Sequence, residues 1–281
     1  MSESLSRKEP IITTRKAWLA RAAAELSDAG IDSARLDSEL LLTHALNISR
    51  TALHAHDDEP LDDSIVPILE AMLSLRVIRV PLAYIVGHRE FYGRLFKVTP
   101  SVLIPRPETE DIVALMETLP PPRTIVDVGT GSGALAISLA LRYPDAHVYG
   151  VDVSKRALSV AQTNANAYET PVTFMLSDLL TNLPRFDEVP TTIVANLPYV
   201  GQSDERSPET NYEPEGALFA EQDGLELIYR LIDQAGARLQ SDDYLLLESN
   251  PAQQPAIGAY TTENGFALER THHLITVLRR I

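Results

Sequence analysis

Cysteine is absent from all 281 residues. That excludes disulfides, thiol nucleophiles and cysteine-ligated metal centres, and it is compatible with a reducing compartment. Long apolar runs are missing as well. The most compact one, Ala134 to Leu141 (ALAISLAL), falls well short of the roughly 18 residues that a membrane helix needs. The opening stretch MSESLSRKEPIITTRK holds no apolar core of leader length, so a cytoplasmic chain with no membrane partner is expected. Positive charge is scarce: 24 Lys and Arg stand against 39 Asp and Glu, giving a net charge of -15 and a pI near 4.8. Affinity for nucleic acid comes mostly from Lys and Arg, so stable nucleic-acid binding is not expected. What remains is ordinary for a globular protein, with 44% hydrophobic and 22% charged residues, and the length suits two domains.

The first 85 residues read as helical. RKAWLARAAAELSDAG places Trp18, Ala22 and Leu26 on one helical face and stops at Gly30. DSARLDSELLLTHALN follows with Asp32 as its expected N-cap, and SIVPILEAMLSLRVI carries Pro67 in its first turn. Residues 1–85 are therefore expected to pack three to five helices. The texture changes at Pro81. EFYGRLFKVTPSVLIPRPETE alternates apolar and polar residues and has Gly93 and three prolines, the pattern of a β-hairpin with an extended connection. The expected linker is 86–106. From Pro107 on, strands are expected at 124–128, 147–151, 172–177, 191–195, 243–248, 266–271 and 274–280. Helices are expected at 107–119, 133–143, 154–168, 223–238 and 251–264. Such alternation argues for an α/β domain, 107–281, with a mostly parallel seven-stranded sheet whose last two strands form a hairpin.

Three segments carry chemistry. TIVDVGTGSGALAISLA is strand, glycine-rich turn and helix. Gly129, Thr130, Gly131, Ser132 and Gly133 form a turn where a ligand can approach the backbone closely, at the carboxyl end of a strand, where open α/β sheets bind ligands. A ligand-free turn would not need three glycines in five residues. Asp152 ends the next strand, 21 residues after Gly131, where a carboxylate suits ribose hydroxyls. Helix capping is its alternative duty, which Ser154 could take instead. Asp178 and Leu179 close a third strand where a base could lie. Finally, Ile193-Val194-Ala195 runs into Asn196-Leu197-Pro198-Tyr199. Asn196 offers a side-chain carbonyl and Leu197 a peptide carbonyl, two acceptors for the two N–H groups of a planar nitrogen. Pro198 stiffens the turn, and Tyr199 offers a flat face.

In this order the segments resemble the S-adenosylmethionine-dependent methyltransferases with an (N/D)-P-P-(Y/F)-type motif. The likeness extends further. PLAYIVGHREFYGRLFKVTPSVLIPRPETE, DVGTGSGALAISLA, VDVSKRALSVAQTNA, SDLL, NLPYV and YEPEGALFAEQDGLELIYRLI resemble successive blocks of the release-factor glutamine methyltransferases, the HemK/PrmC family. The blocks span roughly residues 80–240, and Ile104 to Glu110 is the most specific of them. The resemblance implies a Rossmann-like methyltransferase sheet and S-adenosylmethionine as cofactor. That cofactor would be bound by Gly129, Thr130, Gly131, Ser132, Gly133, Asp152, Asp178, Leu179 and Asn196. The implied substrate is the glutamine of a Gly-Gly-Gln motif in a peptide-chain release factor, held by Asn196, Leu197, Pro198 and Tyr199, with Asn196, Pro198 and Tyr199 as the catalytic set and the helical domain recognising the protein. Leu197 stands where the family usually has proline, a form shared with ribosomal RNA adenine dimethyltransferases. The competing readings are a nucleic-acid adenine methyltransferase, a dinucleotide-dependent oxidoreductase suggested by Gly129, Gly131 and Ala134, and a binding module without activity. No metal is expected: His54, His56, Asp57 and Asp58 sit on a polar stretch, and His272-His273 has no helix-spaced partner.

Overall fold

The computed structural model describes residues 13–185, 190–199, 207–217 and 224–281. The opening segment 1–12, Val200-Gly201 after the NLPY turn, residues 218–223 and the expected helix start at 223 lie outside the described residues. The chain forms two compact units, Met1–Val86 and Gly87–Ile281.

The smaller unit contains helices α1 (Arg15–Asp28), α2 (Ala34–Leu46), α3 (Arg50–Ala55), α4 (Val66–Val77) and α5 (Leu82–Val86). Trp18, Ala22 and Leu26 of α1 are fully buried with Leu41, Leu42, Leu53, Leu69 and Leu73, so the apolar faces of α1, α2 and α4, with Leu53 of α3, make the core. The Trp18 indole donates to Glu70 at 2.8 Å, which satisfies its only donor. Arg76 and Asp37, both buried, pair at 2.7 Å. Asp32 does not cap α2: the N-cap is Ser33, and no side chain bonds the first turn. Ser33 has φ -88° and ψ 19°, away from the extended geometry that lets a side chain reach back to the helix.

The larger unit opens with a hairpin, β1 (His88–Phe91) and β2 (Arg94–Lys97). Phe91 and Phe96 are buried in that unit's core, edge to face at 6.2 Å, so the hairpin is part of this unit's packing. A 3₁₀ turn, Pro107–Thr109, leads into α6 (Glu110–Met116), shorter than the helix expected over 107–119. Then follow β3 (Thr124–Val128), α7 (Ala134–Arg142), β4 (His147–Asp152), α8 (Lys155–Ala167), β5 (Val172–Leu176), β6 (Thr191–Ala195), α9 (Glu226–Gly236), β7 (Tyr244–Glu248), α10 (Gln254–Glu263), β8 (Phe266–His272) and β9 (Ile275–Arg280).

The seven strands run in the order β5-β4-β3-β6-β7-β9-β8. All neighbours pair in parallel except at β9, which is antiparallel to both β7 and β8. The α/β class and the terminal hairpin therefore match the sequence reading. Every residue of β3 and β6 is buried, as expected for central strands covered on both sides. Ile125 and Leu246 enter one core with α6 and α7, while Val126, Leu245 and Leu247 enter the other with α9. That alternation is the two-residue period of a strand packed on both faces. The chain steps outward from β3 through β4 to β5, then returns to β6 on the other flank of β3. This reversal opens a crevice at the carboxyl ends of β3 and β6, the place where such sheets take ligands.

Candidate active site

The glycine turn leaves β3 at that crevice. Gly129, Gly131 and Gly133 have φ of 76°, 55° and 78°, the left-handed region that costs other residues strain. Space adds a second reason. A Cβ on Gly129 would lie 3.2 Å from Leu197 Cδ2, and one on Gly133 would lie 3.0 Å from Ala161 Cβ. The turn is thus packed directly against the Asn196–Tyr199 segment and against α8. Beneath it, the buried Asp127 accepts from the Thr130 hydroxyl at 2.6 Å and from the Ala136 N–H at 3.1 Å. Burial pushes its carboxyl up to about 7, the two hydrogen bonds holding it back. The Ser132 carbonyl accepts from Asn164 Nδ2 at 2.8 Å.

Asp152 stands at the end of β4. One carboxylate oxygen accepts from the Gly131 N–H at 3.0 Å and the other from the Ser154 N–H at 2.8 Å, so this side chain ties the glycine turn to the start of α8. Each oxygen keeps further acceptor capacity. Burial raises its pKa against those hydrogen bonds. Ser154 is the true cap of α8: its hydroxyl accepts from the Ala157 N–H at 3.2 Å. Leu179 is buried, with φ of 49°, whereas the Asp178 carboxylate turns to Arg230 in an exposed pair at 2.6 Å.

These residues surround one cavity of about 250 Å³, walled by Gly129, Asp152, Asp178, Leu179, Asn196 and Pro198 among others. A recess of about 60 Å³ adjoins it, sharing Gly129, Gly131 and Asn196 and adding Arg106, Asp127 and Thr130. The fold therefore brings Gly129, Gly131, Asp152, Asp178, Leu179 and the NLP residues to one space, with Thr130 and Ser132 at the recess, whereas Gly133 packs on Ala161 and neither it nor Tyr199 lines the cavity or the recess. A nucleoside fits this donor set: a carboxylate for vicinal hydroxyls at one wall, apolar Leu179, Leu197 and Leu227 for a flat base at another. The adjoining recess has both a carboxyl, Asp127, and a guanidinium, Arg106, in its lining.

The Asn196 amide has a fixed partner. Its Nδ2 donates to Thr109 Oγ1 at 2.8 Å, and Thr109 donates onward to Glu248 Oε2 at 2.6 Å. Tyr199 donates its hydroxyl to Glu248 Oε1 at 3.1 Å. Gln253 Nε2 donates to the Tyr199 carbonyl at 3.0 Å, and a Cβ on Gly224 would overlap that carbonyl. Leu197 is buried in the core beside Gly129, so an aliphatic side chain has a seat where the family usually has proline. Burial, and then the Glu248 carboxylate, raise the Tyr199 hydroxyl's pKa. Burial likewise raises the Glu248 carboxyl, opposed by its bonds from Thr109 and Tyr199. Sequence reasoning did not single out Glu248 or the role of Thr109. The available signals were an acid closing the apolar run Leu245–Leu247 and a threonine inside the Ile104–Glu110 block. Glu213, from the YEPEG block, clasps the same region: it accepts from the Ile104 N–H at 3.3 Å and from Arg106 Nη2 at 2.8 Å.

Elsewhere, His272 and His273 meet Asp111, the His273 Nδ1 lying 2.8 Å from its carboxylate. Sequence spacing offered these histidines no partner; α6 supplies one in Asp111. His54 lies 3.6 Å from the buried Glu39 carboxylate, which Arg50 also reaches at 2.6 Å.

Two family models match the chain: the PrmC N-terminal domain over residues 17–87 and the methyltransferase small domain over 112–209. A release factor glutamine methyltransferase from Geobacter sulfurreducens is 35% identical over 268 residues, which is 93% of each chain. Another from Koribacter versatilis is 38% identical over 236 residues, covering 81% of this chain and 83% of that protein. The chain belongs to the release factor glutamine methyltransferase family. The methyltransferase match spans the glycine turn, Asp152, Asp178 and Asn196 to Tyr199. Among solved structures, ribosomal protein L11 methylase from Lactobacillus delbrueckii subsp. bulgaricus is similar, with a TM-score of 0.48 and 22% identity over 68% of this chain and 89% of that one. No described helix is long and apolar enough to cross a membrane.

Proposed function

We propose that this protein methylates the side-chain amide nitrogen of the glutamine in the Gly-Gly-Gln motif of a peptide-chain release factor, with S-adenosylmethionine as methyl donor, in the cytoplasm. The observation that carries the reading is the Asn196 amide, anchored through its NH₂ at the junction of the nucleoside-sized cavity and the smaller recess. When bound, the cofactor supplies an electrophilic methyl group on a positively charged sulfur. Gly129, Thr130, Gly131, Ser132 and Gly133 would admit its methionine end, Asp152 would take the ribose hydroxyls, and Asp178 and Leu179 would border the adenine.

The chain's own residues handle the nucleophile. An amide nitrogen is weak because its lone pair is delocalised. Asn196 Oδ1 and the Leu197 carbonyl accept its two hydrogens, which turns the nitrogen toward the methyl group. Pro198 holds the spacing of the two acceptors, and Tyr199, tethered by Glu248, borders the substrate group. Alignment of this kind supplies rate by removing rotational and translational search. No base is needed before transfer, because the nitrogen sheds a proton only after gaining carbon.

The adenine alternative is tested directly. The NLPY motif accepts any planar nitrogen with two hydrogens, so the surface must discriminate, and a net charge of -15 disfavours RNA. Label from S-adenosylmethionine is expected in a release factor's glutamine and not in ribosomal RNA, and Gln→Glu in the substrate motif should abolish it. Label on adenine would overturn the reading. The helical unit is assigned to recognition of the release factor. Removing residues 1–80 should raise KM for the release factor and spare cofactor affinity in titration calorimetry; the reverse pattern would assign the unit to the cofactor pocket instead.

A further inference from the structure

One buried carboxylate bonds Tyr199 at one end of the Asn196–Tyr199 turn and reaches Asn196 at the other end through Thr109. Glu248, 1% exposed, closes β7, next to β6 in the sheet. It receives Thr109 on one oxygen and Tyr199 on the other. Burial raises its pKa, the bonds from Thr109 and Tyr199 oppose that, Glu108 adds to it, and Arg106 favours the ionised form.

The bonds have a direction that chemistry dictates. In its ionised form the carboxylate only accepts, and the Thr109 hydroxyl then spends its one proton on Glu248. Thr109 Oγ1 is then left as an acceptor toward Asn196. Only the NH₂ side of the Asn196 amide can answer it, at 2.8 Å. The Asn196 carbonyl oxygen is thereby turned away from Thr109.

We propose that Glu248, acting through Thr109, is the positioning residue that sets the Asn196 amide with its oxygen toward the substrate nitrogen, while the same carboxylate anchors Tyr199. This rests on the reading of Asn196 as the acceptor for the glutamine amide. An amide at 248 is isosteric but can donate. If its NH₂ faces Thr109, the hydroxyl turns round, donates to Asn196 Oδ1, and flips the amide so that NH₂ faces the substrate, where it cannot accept a hydrogen bond.

The test uses the full-length enzyme with Glu248→Gln, Thr109→Val and Thr109→Ser. In ¹⁵N spectra of asparagine-labelled protein, the Asn196 side-chain NH₂ is expected to exchange slowly with water. That protection should be lost in Thr109→Val and reduced in Glu248→Gln. With a release factor as substrate, kcat should fall by about tenfold or more in both variants. Thr109→Ser, which keeps the hydroxyl, should recover most of what Thr109→Val loses. Cofactor affinity should hold, and Glu248→Gln should melt no lower than the parent, since it removes a buried charge. Unchanged amide exchange in both variants would overturn the proposal. So would parental kcat in Glu248→Gln, or a fall in kcat that comes with matching losses of melting temperature and cofactor binding. A parent enzyme that fails to label the release factor would refute the proposed substrate, and the amide-exchange comparison would still decide the role of Glu248.

Discussion

Asn196→Ala is expected to lower kcat by about 10²–10³-fold, the scale of removing one preorganised hydrogen-bonding group from a reaction centre. The side chain is half-buried and its NH₂ is already committed to Thr109, so the substitution removes little packing and leaves the β6 register untouched. What disappears is the oriented Oδ1. The substrate amide would still meet the Leu197 carbonyl but could rotate about it, and the nitrogen would face the methyl group only part of the time. KM for the release factor should move much less than kcat, because one hydrogen bond is a small part of a protein–protein contact. Steady-state kinetics with a labelled methyl donor, alongside calorimetric cofactor titration, measures both. Turnover within a few fold of the parent would remove Asn196 from its assigned role.

Asp152→Ala is expected to weaken S-adenosylmethionine binding by about 1.5–3 kcal/mol, the range for hydrogen bonds to a charged group. Asp152 lines the cavity and holds two backbone N–H groups, those of Gly131 and Ser154. On the proposed reading the substitution removes a ribose acceptor and also loosens the glycine turn. Asp152→Asn separates the two effects. It keeps one carbonyl oxygen for a backbone N–H but loses the charge, so its affinity should fall between the parent and the alanine variant. Titration calorimetry showing equal affinity for all three proteins would place the ribose elsewhere.

Much of this site was legible because its signals are local. A glycine turn between strand and helix declares itself within five residues. Asp152 stands out because it closes the strand next to β3, 21 residues after Gly131. Asn196 to Tyr199 stands out because a buried strand does not otherwise end in amide, proline and ring. Element edges were less certain. Ser33 rather than Asp32 precedes α2, and a 3₁₀ turn replaces the first turn of the helix expected from 107, because caps depend on backbone angles that side-chain type alone does not fix.

The sequence by itself determined the alternating architecture and the places of the glycine turn and the Asn196–Tyr199 turn at strand ends, because periodicity, glycine and proline act on the backbone within a few residues. The tertiary structure alone decided what holds that motif in place. Thr109 is 87 residues from Asn196, and Glu248 is 49 from Tyr199. They meet because β7 lies beside β6 in the sheet and the 3₁₀ turn before α6 delivers Thr109 to Glu248 and Asn196. No periodicity encodes such a meeting, and an acid at the end of an apolar strand gains its meaning only from the hydroxyls the fold brings to it.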